Sequence, residues 1–329
     1  MDLLAVIGSI VIVYYLIYVI LPWFLDCDLN LTFHEKFGKP ISSLKGKVIW
    51  IIGASSGIGE NLAYVLAEAG CKIILSARRE SELNRVKANC LQRNSNLTNL
   101  DVEILVLDIC DINSHESAFN NIITKFGKLD ILVNNAGRSQ RAIWEKIDLT
   151  VDKDMFNLNV FSQMALSRLI AEYFFKVDEG HFVITSSLAG VIAAPFSATY
   201  CGTKYALHGY YTAFNVEKVG KNVSVTIVCP GATQTNFLAE AYTDKPNEKY
   251  GENTQEDSVN KISARRCATL MGIAIANKLS EVWISKPLVL QLYYLKVYYP
   301  NLGALILRLL GPRYLLRLRD NKTKIKQEQ

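Results

Sequence analysis

Tyr200 and Lys204 stand four residues apart, a spacing that puts both side chains on one face of a helix. A phenol ordinarily titrates near 10, too high to exchange its proton readily at neutrality. A neighbouring ammonium favours the phenolate and lowers that value. The pair is therefore suited to pass a proton to or from an alcohol or carbonyl oxygen. Of the 16 tyrosines in the chain, only Tyr200 has lysine at plus four. Upstream lies Ser187, within Thr185-Ser186-Ser187-Leu188-Ala189-Gly190. Its hydroxyl can hydrogen-bond a substrate oxygen as charge develops there. Taken alone, Ser187 reads equally well as a turn residue.

A second constellation points to a dinucleotide. Gly53-Ala54-Ser55-Ser56-Gly57-Ile58-Gly59 follows the first apolar run and opens a helical pattern. Glycines permit the sharp strand-to-helix turn and let backbone N–H groups approach a pyrophosphate at the helix N-terminus. The candidate contacts are Gly53, Ser55, Ser56, Ile58 and Gly59. The second strand ends Ser76-Ala77-Arg78-Arg79. An NAD enzyme usually places an acid here for the ribose 2′-hydroxyl. Arg78 instead offers a planar cation matched to a 2′-phosphate, which predicts NADP(H). A solvated loop arginine is the plainer alternative.

The elements that must carry these residues alternate regularly. Strands are expected at Lys47–Ile52, Lys72–Ser76, Val102–Leu107, Asp130–Asn134, His181–Thr185, Val223–Cys229 and Val282–Ile284. Helical patterns fall near 57–69, 80–93, 114–126, 151–175 and 198–218. Such alternation predicts βαβ units, hence an α/β, Rossmann-type doubly wound parallel sheet of about seven strands. The polar stretch Thr243–Ser258 interrupts the pattern and is a candidate substrate lid.

Half the residues are hydrophobic and a fifth charged, with a net charge of +5. That excludes a disordered chain, and no Lys/Arg stripe interleaved with aromatics suggests nucleic acid. The seven cysteines are scattered, with no spacing that fits a metal site or a disulfide framework.

Leu3 to Phe24 carries no charge. As one helix it would be roughly 33 Å long, enough to span a bilayer. The expected organisation is an anchor over 1–25, a polar linker over 26–45, a catalytic domain over 46–285 and C-terminal helices over 286–329. Lys36, Lys39, Lys45 and Lys47 follow the apolar run and favour a cytoplasmic catalytic domain. Sequons begin at Asn30, Asn96, Asn222 and Asn321 and matter only on the lumenal side. Pro287 to Leu318 is again apolar but interrupted by Lys296, Pro300, Arg308 and Pro312. It reads as amphipathic helices on a membrane surface, over the substrate pocket or in a homodimer. Arg308, Arg313, Arg317, Arg319, Lys322, Lys324 and Lys326 are placed to meet anionic lipid or solvent.

The spacing Gly-x-x-x-Gly-x-Gly, with Asn134-Asn135-Ala136-Gly137, Ser187, Tyr200-x-x-x-Lys204 and Pro230-Gly231, resembles the short-chain dehydrogenase/reductase family over roughly 47–285. Ile52 stands where that family usually has threonine. The resemblance implies an NADP(H) oxidoreductase acting on an alcohol or carbonyl. It also implies roles for further residues. Asn159 is the fourth catalytic position and holds a water linking Lys204 to solvent. Asp108 contacts the adenine, Asn135 flanks the adenosine ribose, and Thr235 lies near the nicotinamide carboxamide. Tyr200 and Lys204 touch the cofactor as well as the substrate, and Ser187 binds the substrate. Arg265-Arg266-Cys267 and Glu281-Val282-Trp283-Ile284-Ser285 resemble a membrane-anchored subgroup, dehydrogenase/reductase SDR family member seven. That subgroup implies the endoplasmic reticulum and steroid, retinoid or xenobiotic carbonyl substrates. Two rival readings use the same fold without turnover: a module that only binds dinucleotide or lipid, and a membrane scaffold.

Overall fold

A computed structural model describes residues 2–251 and 261–320. In chain order the strands are β1 (Val48–Ile52), β2 (Lys72–Ala77), β3 (Val102–Val106), β4 (Ile131–Asn134), β5 (Gly180–Thr185), β6 (Val223–Pro230), β7 (Thr233–Gln234), β8 (Ile262–Ser263) and β9 (Glu281–Ile284). The helices are α1 (Leu3–Ile20), α2 (Leu29–Phe37), α3 (Gly57–Glu68), α4 (Glu80–Arg93), α5 (His115–Phe126), α6 (Leu149–Phe156), α7 (Ser162–Val177), α8 (Ala198–Glu217), α9 (Ala264–Ala276), α10 (Pro287–Tyr298) and α11 (Pro300–Asp320).

Seven strands form one parallel sheet in the order β3-β2-β1-β4-β5-β6-β9. The chain winds outward from β1 to β3, then crosses to β4 on the other side. That reversal opens a crevice beyond the carboxyl ends of β1 and β4. All five residues of β1 are buried, as a strand covered on both faces requires. Ile49 and Ile51 join one core with α3, α4 and α9, and Val48, Trp50 and Ile52 join the other with α5, α7 and α8. This is the doubly wound α/β architecture that the alternating pattern predicts.

The ends of the chain differ more from expectation. The apolar N-terminal helix stops at Ile20, and a tight 3-10 turn takes Leu21–Phe24. Eighteen residues give about 27 Å at roughly 1.5 Å per residue, short of a ~30 Å hydrocarbon core. Among the described residues, no helix is long and apolar enough to cross a membrane. The expected linker over 26–45 contains a packed helix, α2. Asp28 caps it by accepting from Leu31 N at 2.9 Å, and its second oxygen accepts from Trp283 N at 2.7 Å. Cys27 bridges Ile284 in antiparallel fashion, so this segment covers the β9 edge that would otherwise be open.

The helix expected over 151–175 begins at Leu149, behind the Asp148 cap. It passes through a π segment, Asn157–Phe161, before continuing as α7. Of the expected lid, residues 252–258 lie outside the described residues. Its described part folds onto the body, where Tyr242 bridges Gln140 and Lys249. The C-terminal pair is α10 and α11, and Gly311 at φ +73° kinks the latter ahead of Pro312. Arg308, Arg313 and Arg317 are exposed. Arg319 corrects the expectation of a lipid-facing or solvated residue: it turns inward onto Asp320 and Ser197. Asn321, Lys322, Lys324 and Lys326 lie outside the described residues.

Candidate active site

The crevice holds a cavity of about 700 Å³. Its floor is made by the carboxyl ends of β1, β2, β4, β5 and β6, and its roof by α10 and α11. Gly53, Ser55, Ser56, Ile58, Arg78, Asp108, Asn135, Ser187, Tyr200, Lys204 and Thr235 all line it. Gly59 and Asn159 stand one layer behind.

The glycine loop is shaped by close packing. Gly53 has φ +85°, and a Cβ there would lie 2.7 Å from the Ala136 backbone. A Cβ on Gly59 would lie 2.2 Å from Gly53 O and 2.5 Å from Asn135 Nδ2. Asn135 fixes the loop by donating from Nδ2 to Gly53 O at 3.0 Å. The N-terminus of α3 opens directly after it, where first-turn N–H groups have no intrahelical acceptor. Asn134 is fully buried and structural, donating to Ser167 Oγ at 2.8 Å and Tyr211 OH at 3.0 Å.

At the end of β2, Arg78 is exposed along the cavity wall. Beside it Arg79 donates to Ser55 Oγ at 3.2 Å and Ser56 Oγ at 3.3 Å. Sequence reasoning singled out Arg78 and passed over Arg79, though the dipeptide was the available signal. Together they form a cationic rim over the glycine loop. Asp108 Oδ1 accepts from Cys110 N at 3.0 Å, and Thr235 packs on Gly57. The donor set fits the phosphates of a nicotinamide dinucleotide: a helix N-terminus, two hydroxyls and two guanidiniums.

Tyr200 and Lys204 both rise from α8 into the cavity, 9% and 3% exposed. Lys204 Nζ donates to Thr185 O at 2.7 Å and sits 5.7 Å from the centre of the Tyr200 ring. Burial pushes the Lys204 ammonium down to about 8. Burial pushes the Tyr200 phenol up to about 12, opposed by its hydrogen-bonding contact with Ser187 and by the charge of Arg141. Ser187 accepts from Ala189 N at 3.1 Å and donates to Pro230 O at 3.3 Å, which holds its hydroxyl at the mouth of β5. The Thr185 hydroxyl, also on the cavity wall, is buried and has no partner among the described residues.

Asn159 is fully buried in the π segment. Oδ1 accepts from Arg138 N at 2.9 Å, and Nδ2 donates to Arg138 O at 2.9 Å and Thr203 Oγ1 at 3.1 Å. Only the second lone pair of Oδ1 stays open to a further donor. A Cβ on Gly137 would lie 3.2 Å from Asn159 Oδ1 and 3.8 Å from Lys204 Nζ. The glycine thus keeps these two groups close to each other. The π bulge widens the helix at this point, a distortion that recurs at functional sites.

Arg141, Arg319 and Asp320 also line the cavity; no sequence signal marked Arg141 or Asp320, and Arg319 was read only as one of the C-terminal cations. Arg141 and Asp320 meet across 179 positions of chain, with Nε to Oδ2 at 2.7 Å and Nη2 to Oδ1 at 3.1 Å.

Comparison with known proteins gives a consistent result. Residues 47–246 match the family described as short chain dehydrogenase. The mouse protein named dehydrogenase/reductase SDR family member 7 is 38% identical over 299 residues, spanning 90% of this chain and 87% of that one. The human protein of the same name is 37% identical over 290 residues, spanning 88% and 85%. A solved short-chain dehydrogenase from Streptomyces avermitilis superposes with a TM-score of 0.65 at 26% identity, covering 80% of this chain and 96% of that one.

Proposed function

The chain belongs to the short chain dehydrogenase family, and on that premise we propose that it is an NADP(H)-dependent oxidoreductase interconverting a carbonyl and an alcohol on a lipophilic substrate. One observation carries this reading: Ser187, Tyr200 and Lys204 line the same cavity as the glycine loop.

Held along the glycine loop by Gly53, Ser55, Ser56 and the N-terminus of α3, a reduced dinucleotide would supply the hydride for the carbonyl carbon. Ser187 donates to the carbonyl oxygen and polarises it. Tyr200 donates its proton to the same oxygen as charge builds there. Lys204, held by Thr185 O, favours the phenolate left behind. Asn159 fixes the Arg138 backbone and Thr203 beside Lys204 and supports the return of a proton. Oxidation of the alcohol uses the same groups in reverse. The intact Ser187, Tyr200 and Lys204 speak against a binding module or scaffold without turnover.

NADP(H) is favoured over NAD(H) by Arg78 and Arg79 at the end of β2, where a 2′-phosphate would otherwise meet an acid. Arg78→Ala is expected to raise the KM for NADPH roughly tenfold or more and to leave that for NADH nearly unchanged. Equal loss for both cofactors would remove Arg78 from the assignment. The reading as a whole is tested by NADPH oxidation at 340 nm with purified full-length protein. Steroid ketones, retinal and aromatic dicarbonyls make the panel.

The apolar cavity walls from α10 and α11, such as Leu292, Leu307 and Leu315, support a lipophilic substrate such as a steroid, retinoid or xenobiotic carbonyl. The described part of the 243–258 loop presents Lys249 to the cavity and supports its role as a lid. The N-terminal segment supports a membrane anchor. It is uncharged, and Leu3, Ile10 and Ile12 are 72%, 63% and 60% exposed, a surface that water leaves uncovered at a cost. On α10 and α11, Tyr298, Leu302, Leu305, Leu309 and Tyr314 are exposed too, as a membrane surface or a homodimer would use. Residence in the endoplasmic reticulum membrane, with a single N-terminal anchor, belongs to the same proposal.

A further inference from the structure

The cavity is not evenly charged. Eight Lys/Arg side chains and three Asp/Glu side chains line it. Arg78 and Arg79 stand at the glycine loop, where the phosphates of a dinucleotide would meet them. Arg141 and Arg319 stand elsewhere on the wall and answer to no phosphate.

Their arrangement is specific. Asp320 Oδ2 accepts from Arg141 Nε at 2.7 Å and Arg319 Nη2 at 3.0 Å. Asp320 Oδ1 accepts from Arg141 Nη2 and Arg319 Nε, both at 3.1 Å. Ser197 Oγ, in turn, accepts from Nη1 of both arginines, at 2.9 Å and 3.0 Å. Arg141 Nη1 also donates to Ser139 Oγ and Gln140 O, and Arg319 Nη1 to Pro195 O. Two guanidiniums thus share one carboxylate. Each Nη2 carries two N–H groups and makes one bond among the described residues. Arg319 keeps 19% of its side chain accessible while Arg141 and Asp320 keep 8% each, so Arg319 is the member that opens on the void.

Among the described residues, the cluster is one positive charge in excess. Burial by itself would raise the Asp320 carboxyl, but the two arginines overcome that and hold it well below the usual carboxylate range. It therefore stays ionised. Burial, with the like charge of Arg141, lowers Arg319. A buried cation without a full counter-charge is costly, and both arginines line the cavity.

Resting on the oxidoreductase reading above, we propose that the substrate is a lipophilic carbonyl compound, or its alcohol, that also bears a carboxylate, and that Arg319 and Arg141 bind that carboxylate. The apolar walls hold the hydrocarbon, Ser187 and Tyr200 hold the carbonyl, and the guanidiniums hold the acid. The competing use of the excess charge is electrostatic: both arginines act on Tyr200 through space and would favour its phenolate with no acid on the substrate.

The test compares decanoate with methyl decanoate by calorimetric titration of the full-length protein in neutral detergent. Decanoate is expected to bind at least about tenfold more tightly. Arg319→Met should abolish that difference and leave the ester unchanged, and Arg319→Lys should keep most of it. Equal binding of acid and ester by the parent protein would overturn the proposal. So would an Arg319→Met variant that weakens both ligands alike. Binding is read without turnover, so a failure of the oxidoreductase reading, seen as no NADPH oxidation by any carbonyl, is distinguishable from a failure of the acid site.

Discussion

Tyr200→Phe is expected to lower kcat/KM for carbonyl reduction by about 10³-fold, the scale of a positioned general acid, with NADPH affinity within about twofold of the parent. The change removes one hydroxyl and keeps the ring, which packs edge-on against Phe237 at a centroid distance of 6.0 Å. Folding should therefore be preserved, and the loss should fall on kcat. The measurement is steady-state NADPH oxidation beside a fluorescence titration of cofactor. A variant as active as the parent would remove Tyr200 from the mechanism. The parent should also show a pH dependence of defined sign. Lys204 is lowered by burial to about 8, so its charge is present below that value and lost as pH rises through it. Reduction is expected to decline above about pH 8, where the phenolate loses its neighbouring cation.

Gly59→Ala is expected to weaken NADPH binding by at least about 100-fold. The added Cβ would sit 2.2 Å from Gly53 O and 2.5 Å from Asn135 Nδ2, separations that no real contact tolerates. Relief requires the loop to move away from the N-terminus of α3, and the phosphate cradle moves with it. Part of the cost falls on stability, since overpacking typically costs about 1–3 kcal/mol. The expected signature is a folded protein, by far-UV circular dichroism, that no longer responds to NADPH. Retention of parental affinity would show that the loop does not hold the dinucleotide.

The parallel sheet was legible because its strands are short, mostly apolar and separated by helical periods. Burial on both faces forces that pattern on Val48–Ile52 and on Val223–Cys229 alike. The glycine loop and the Tyr200–Lys204 pair were legible because local spacing alone brings their atoms together. Helix α2 was missed for an equally physical reason. Leu29, Leu31 and Phe33 alternate like a strand, and what decides the helix is the Asp28 cap, tied to Trp283 far along the chain. The π segment around Asn159 shifts the apolar pattern by a single position, too small a break to read within one long helical pattern. Arg141 and Asp320 were beyond reach, since their pairing spans 179 positions. Arg319 was misread for the same reason, as one more cation in a basic tail.

The most direct measurement of the central claim is isotope transfer. NADPH carrying deuterium at C4 is incubated with the full-length protein and a carbonyl substrate, and the product alcohol is analysed by mass spectrometry. The account predicts one deuterium on the carbinol carbon with the parent protein and no labelled alcohol with Tyr200→Phe. Alcohol formed without the label, or a label transferred equally well by Tyr200→Phe, would contradict it.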